Sequence, residues 1–373
     1  MTAFFATASA GTEDLLADEL RALGLRGVRT GPGGARFSGG TVDAMRACLW
    51  SRIAMRVLLQ LAEFPAAAAE SLYAGARDVR WEEHLDPTRT FAVEAVGRTE
   101  ALGHTHFTAL KVKDAVADAL RERRGARPDV NANDPDVRIV AHLAQGRASL
   151  ALDLAGEPLF KRGWRLAQTG ATLKETLAAA ILRACGYDGR RPLIDPMCGS
   201  GTLAIEAALI AQNHAPGVHR KLGIERWASF DETLRAELRR LRDEARRGVH
   251  RAAAPVIARD RDPEAIRAVQ ANVRRAGLPV QVQQADAREL APLDPPGFVV
   301  VNPPWGKRLG GGRQGLKTFF WQLGQAWRGL HGHRLAVLAG GPEFESAFGL
   351  RPTSRRALWN GPVRCRLLQY DLD

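Results

Sequence analysis

The chain has 373 residues, 45% hydrophobic and 25% charged. At about 150 residues per domain this predicts two or three folded domains, and it excludes a disordered, collagen-like or disulfide-stapled chain. The net charge of +12 is unevenly placed: residues 1–100 carry 11 basic and 13 acidic side chains, residues 301–373 carry 11 and 4, a balance that favours a polyanionic partner through counterion release.

In chain order, residues 3–8 form a short apolar run that predicts a strand. A helix follows with Leu16, Leu20 and Leu23 on one face and Gly24 as its stop. Gly31-Pro32-Gly33-Gly34 is a turn, 35–38 a strand, 42–52 a helix and 57–61 a strand, together an α+β unit of about 60 residues. Residues 63–83 read as helical and 91–96 as a strand. Residues 107–124 read as a long amphipathic helix with Leu110, Val112, Val116 and Leu120 inward. Residues 137–143 and 148–154 read as strands paired around Gln145-Gly146.

From Leu173 the pattern alternates between helix and strand. Helices are expected at 173–185, 202–212, 263–276 and 319–330. Strands are expected at 192–195, 256–258, 280–283, 297–302 and 335–338, with 363–370 as a closing hairpin arm. An Arg-rich helical insertion spans 213–248. Repeated βα units imply a doubly wound parallel sheet with ligands at the carboxyl ends of its strands.

No apolar run approaches the roughly 18 residues of a membrane span; 298–301 is the strongest short one. The opening Met1-Thr2-Ala3-Phe4-Phe5 lacks a basic leader, so a cytoplasmic protein is expected. The four cysteines, Cys48, Cys185, Cys198 and Cys365, are too far apart for a zinc knuckle or redox pair, and the histidine pairs 104/106 and 331/333 lack ligand-spaced partners. No metal is expected.

Four strand-end motifs carry chemistry. In Asp195-Pro196-Met197-Cys198-Gly199-Ser200-Gly201-Thr202, two glycines admit a ligand close to the backbone and a helix start offers free N–H groups. It is neither a Walker loop nor a three-glycine fingerprint. An acid there suits a ligand ammonium, and the amino-acid-bearing nucleoside S-adenosylmethionine meets both demands. In Arg259-Asp260-Arg261-Asp262-Pro263, Asp260 can reach ribose hydroxyls while Asp262 caps the next helix. In Ala285-Asp286-Ala287, Asp286 can accept from an adenine amine. In Asn302-Pro303-Pro304-Trp305, the Asn302 side-chain oxygen and Pro303 carbonyl can hold an exocyclic NH₂ while Trp305 stacks on a base drawn from its stack.

These motifs in this order resemble the class I S-adenosylmethionine-dependent amino methyltransferases. The stretches 107–116 and 159–165, Ala215-Pro216-Gly217, Trp227 and Asn302 through Gly310 are similar to the THUMP-containing guanine-N2 methyltransferases of bacterial large-subunit rRNA. The resemblance spans essentially the whole chain. It implies a ferredoxin-like unit at 1–60, a THUMP RNA-binding domain at 61–158, a linker at 159–172 and a Rossmann-like α/β methyltransferase domain at 173–373. It further implies RNA as partner, no membrane and a monomer.

The expected cofactor residues are Asp195, Cys198, Gly199, Gly201, Thr202, Asp260, Asp286 and Ala287. The expected catalytic residues are Asn302, Pro303, Pro304 and Trp305. Lys111, Lys113, Lys161, Arg162 and Arg165 are expected at RNA phosphates. Guanine in tRNA, an adenine in DNA, a protein glutamine and a non-catalytic RNA-binding role remain the alternatives.

Overall fold

A computed structural model describes residues 2–168, 173–305 and 312–373. The first half runs β1 (Thr2–Thr7), α1 (Glu13–Ala22), β2 (Arg26–Gly31), β3 (Gly34–Gly39), α2 (Thr41–Trp50), β4 (Arg56–Pro65), α3 (Ala69–Asp78), β5 (Phe91–Gly97), α4 (Thr105–Arg124), β6 (Val137–Ala144) and β7 (Arg147–Asp153). All seven strands join one sheet in the order β2-β3-β1-β4-β7-β6-β5. Strand β4 pairs with β1 on one side and β7 on the other and continues through position 60, with a register shift against β7 between Gln60 and Ala62.

Several local expectations change in this context. The helix expected at 63–83 shrinks to α3 and a short 3₁₀ turn, because Glu63 and Phe64 find ladder partners in Ser149 and Ala148. Strand β2 carries no buried side chain, so it gave no apolar signal. In α4, Val112, Val116 and Leu120 are buried as expected, whereas Leu110 is 40% exposed. It sits about 200° around the helix from Val112 at 100° per residue. Gln145 and Gly146 both have positive φ, 50° and 71°, the primed-turn geometry that matches the twist of a two-residue hairpin.

The second half runs α5 (Glu175–Ala184), β8 (Leu193–Asp195), α6 (Thr202–Ala211), α7 (Glu232–Arg247), β9 (Val256–Asp260), α8 (Pro263–Ala276), β10 (Val280–Gln284), β11 (Phe298–Val301), α9 (Gly312–Trp327), β12 (Arg334–Ala339), α10 (Pro342–Phe348), β13 (Ser354–Asn360) and β14 (Val363–Asp371). Its sheet order is β10-β9-β8-β11-β12-β14-β13. The first five strands are parallel; β14 runs antiparallel beside β12, and edge strand β13 runs antiparallel to β14. Phe298 and Val300 feed one core while Val299 and Val301 feed the other, so both faces are covered, as a parallel sheet requires. The strand order reverses direction between β8 and β11, which is where such sheets open a ligand crevice.

The Arg-rich insertion is not a free basic arm. Trp227, Phe230, Leu238 and Leu241 enter the core of the first sheet, and three arginines of α7 pair with acids one turn away, Arg235–Glu232, Arg240–Glu237 and Arg246–Asp243. The halves are further joined by Arg52, which donates to the carbonyls of Leu209 and His214 at 3.3 and 2.8 Å, and by the two-pronged Arg356–Asp14 pair at 2.7 and 2.8 Å.

Candidate active site

Parallel register gathers the four motifs on one rim. Asp195 lies opposite Ala258, so Asp260 stands two residues further along β9; Asp260 lies opposite Gln284, with Asp286 two residues beyond. On the other side Val299 lies opposite Ile194, which carries β11 past Asp195 to Asn302.

The loop after β8 is held from β9. The Cys198 N–H donates to the Arg259 carbonyl at 2.8 Å and the Gly199 N–H to Asp260 Oδ2 at 2.9 Å. Asp260 Oδ1 accepts the Asp262 N–H at 3.0 Å, and Asp262 caps α8 by accepting from the Glu264 N–H at 2.9 Å. Asp260 is thus the clasp between two loops, and each of its oxygens keeps a second lone pair. Gly201 has φ +88°, and a Cβ there would lie 2.4 Å from Val269 Cγ2. As the N-cap of α6 it brings no side chain, which leaves the first N–H groups of the helix uncapped by a side chain. Thr202 and Cys198 are both buried beside this loop.

Asp195 is 2% exposed and accepts from the Met197 N–H at 3.2 Å. Burial pushes its carboxyl well above the ordinary range, and the nearby Asp260 charge pushes the same way against the Met197 hydrogen bond. Two carboxylates at the mouth of a low-dielectric loop make a site that lacks a cation.

On β11's side, Asn302 Oδ1 is buried and has no hydrogen-bond partner among the described residues. Pro303 is buried and Pro304 half-buried. The indole of Trp305 donates from Nε1 to the Leu338 carbonyl at 3.1 Å and lies against Gly340, where a Cβ would come 2.4 Å from the ring. The indole is therefore fixed across the end of β12 rather than free at the lip. The continuation Gly306 through Gly310 lies outside the described residues.

Asp286 is already engaged. Arg288 donates to it from its backbone N–H and its guanidinium, at 2.7–2.9 Å, and holds the carboxyl below the usual range. Ala287 is buried in the core, its carbonyl accepting from Trp327 Nε1 at 2.8 Å.

The five expected phosphate contacts divide. Lys111 lies over the Phe107 ring, Lys113 pairs with Asp114 and Lys161 with Glu157, all on the surface. Arg162 is a correction: its side chain is 2% exposed, paired with the fully buried Glu206 and donating to the Leu159 and Arg52 carbonyls. Arg165 is a second correction. It pairs with Glu175 and donates to Ser200 Oγ at 3.1 Å and Thr202 Oγ1 at 3.0 Å, so it braces the glycine loop from below.

Asn272 was missed by sequence reasoning. It is fully buried on α8. Its Oδ1 accepts from the Leu166 and Ala167 N–H groups, and its Nδ2 donates to the Ala167 and Ser200 carbonyls. All four hydrogen-bonding positions of this amide are used to tie the 162–167 segment to the glycine loop. The available signal was an amide on the face formed by Ala268, Val269 and Val273, where periodicity expects an apolar residue.

The chain matches the RMKL-like methyltransferase domain over residues 162–369, a THUMP domain over 66–153 and the RlmL ferredoxin-like domain over 3–58. It belongs to the RMKL-like methyltransferase family. It is 43% identical over 385 aligned positions to a ribosomal RNA large subunit methyltransferase K/L of Syntrophotalea carbinolica, and 41% identical over 388 to that of Allochromatium vinosum. These alignments cover 99% of this chain but 53% and 52% of the relatives, so the chain spans about half their length. The crystal structure of SMU.472 complexed with SAH is 30% identical, with TM-score 0.91, covering 100% of this chain and 98% of that one. The α/β methyltransferase architecture preceded by ferredoxin-like and THUMP units is therefore the fold of this chain.

Proposed function

We propose that this chain transfers a methyl group from S-adenosylmethionine to the exocyclic N2 of a guanine in large-subunit ribosomal RNA. The observation that carries the reading is the buried Asn302 Oδ1, which has no hydrogen-bond partner among the described residues, on the same rim as the Asp195–Asp260 pair. Among the described residues, one side of the crevice offers two acids, Asp195 and Asp260, and the other a buried amide oxygen without a donor. The sulfonium nucleoside with its ammonium group answers the first and an aryl NH₂ answers the second. The names of the K/L relatives and the SAH-bound neighbour support the same choice.

The residues fit the cofactor chemically. Asp195 offers its carboxylate to the ammonium, the uncapped start of α6 offers N–H groups to the carboxylate, and Gly199 and Gly201 admit the chain without a Cβ in the way. Asp260 has lone pairs left for ribose hydroxyls. Asp286 would have to share an oxygen already held by Arg288 to meet adenine. The cofactor supplies an electrophilic methyl group.

The protein's contribution is placement. Asn302 Oδ1 and the Pro303 carbonyl accept the two N–H bonds of the amine, which aims the nitrogen lone pair at the methyl carbon. As the N–C bond forms and the methyl–sulfur bond breaks, its electron pair would return to sulfur, leaving the neutral thioether S-adenosylhomocysteine; positive charge would grow on nitrogen, and the two acceptors would stabilise it until one proton passes to water. Proximity of the paired reactants supplies most of the rate gain. Trp305, pinned by Leu338, offers a fixed wall for the flipped base.

The test is mass-spectrometric mapping of methylguanosine in rRNA and tRNA from a strain lacking the protein. Loss of one N2-methylguanosine from large-subunit rRNA is expected. Loss confined to tRNA replaces the substrate, and intact methylation in both removes the reading.

A further inference from the structure

A cavity of about 710 Å³ opens between the 213–248 insertion, the β6–β7 side of the first sheet and the helices of the second. Leu209 of α6 and Arg275 of α8 line it, so it stands at the carboxyl ends of helices whose amino ends, at Thr202 and Asp262, reach the candidate active site. The ten residues of α6 set an offset of about 15 Å between the two places.

The charges of this cavity do not cancel. Its acids are occupied: Asp153 by Arg56, Asp134 by Arg226, Glu157 by Lys161, and Asp136 by the Thr90 N–H and hydroxyl. Among the described residues, the exposed Lys221 and His219 have no ion-pair partner, and Arg275 reaches only the Gly163 carbonyl at 3.5 Å. Arg220, 9% exposed, spends its two Nη atoms on the Lys161 and Glu157 carbonyls and leaves Nε buried without an acceptor. Trp164, on the same wall, buries a second N–H without an acceptor. Surplus exposed cations and the lack of an unengaged carboxylate among its described lining residues call for an anionic occupant.

We propose that this cavity binds backbone phosphates of the RNA whose target base enters the opposite rim. The inference rests on the reading of RNA as substrate. A strand that flips one base into the crevice has its flanking phosphates within reach of a second anchor one helix length away. Such an anchor sets which stretch of RNA lies across the site without reading a base.

The test uses the full chain and a short fluorescein-labelled single-stranded RNA, with anisotropy followed across a salt series from about 50 to about 200 mM. The double variant Lys221→Ala/Arg275→Ala removes two exposed side chains, neither of which supports the core. Its affinity is expected to fall at least about tenfold at low salt, and its log–log salt slope to shrink by about 1.4, two phosphates' worth for a single strand. S-adenosylmethionine affinity by calorimetry should not move. The control Arg26→Ala/Arg29→Ala, on β2 four strands away from β7, should keep most of the slope.

Equal losses in both double variants, or none in the first while the unaltered chain binds RNA, overturn the cavity assignment alone. Failure of the unaltered chain to bind RNA at any salt overturns the substrate reading as well. Displacement of the RNA by guanosine monophosphate at micromolar concentration overturns the backbone assignment in favour of a free nucleotide.

Discussion

The two sheets have seven strands each, yet they write their functional residues into the sequence differently. In the second sheet every strand that bears chemistry is parallel, and its polar residue stands at or just past its end. Asp195 ends β8, Asp260 ends β9, Asn302 follows β11 by one residue and Asp286 follows β10 by two. Parallel register then carries all four to one rim. The first sheet is mostly antiparallel. The cations beside it, and on the segment that leaves it, acquire their roles from distant partners. Arg162 meets Glu206, 44 residues away, and Arg226 of the insertion meets Asp134, 92 residues away. Local order reveals one region, and only tertiary packing reveals the other.

The largest effects should come from breaking one residue in each region. Asn302→Ala should lower single-turnover methyl transfer about a thousandfold, about 4 kcal/mol in the barrier, while S-adenosylmethionine affinity by calorimetry stays within about threefold. Near-normal turnover would remove Asn302 from the mechanism. Arg162→Ala should act on stability instead. It leaves Glu206 buried and unpaired, which costs about 3 kcal/mol in urea denaturation. Lys161→Ala, next to it in sequence but paired with Glu157 on the surface, should cost under about 0.5 kcal/mol. If the two neighbours cost the same, the burial of the Arg162–Glu206 pair carries no stability of its own.

That contrast explains what the sequence could reveal. The βα alternation, α8 with Pro263 at its start and Gly277 after it, and the polar strand ends were legible because each is set within a few residues. Edge strand β2 was not legible, having no buried side chain to make a pattern. The helix expected at 63–83 failed because β7 recruits its first residues into a ladder. Arg162 and Arg165 sit between aromatics in Phe160–Arg165, a pattern shared by a nucleic-acid surface and a packed seam; the burial that separates them comes from α6. Asn272 hid because an amide on an apolar helix face has meaning only once Ser200 and Ala167 lie beside it.

Glycines sharpen the comparison at a middle scale. Gly24, after α1, has φ +79° and open space around it, so Gly24→Ala should cost only the left-handed backbone strain, about 1 kcal/mol. Gly201→Ala adds a contact with Val269 to similar strain. It should cost about 2 kcal/mol and weaken cofactor binding at least about tenfold. Val269→Ala in the same chain should restore part of the stability, since it relieves the contact but not the backbone. Denaturation and calorimetry on the three variants separate these contributions, and equal losses at Gly24 and Gly201 would mean that the loop is not closely packed.

The smallest effect is the most specific. The folded-state carboxyl of Asp195 is raised by burial first and by Asp260 second. A raised acid binds its proton more tightly folded than unfolded. Its contribution to stability is therefore fully present below the ordinary carboxylate range and is lost as pH rises through the raised value. Asp195→Asn removes that loss while keeping an oxygen for the Met197 N–H. The variant should unfold later than the unaltered chain at about pH 8, and the difference should vanish only below the ordinary carboxylate range, at about pH 3. Cofactor binding should respond in the opposite sense: affinity for S-adenosylmethionine should weaken in the unaltered chain as pH falls and Asp195 gains its proton. In the Asn variant it should be about tenfold weaker at about pH 8 and flatter across the range. Parallel stability curves would show that Asp195 is comfortable without a cation, and the rim would lose its reason to hold an ammonium group.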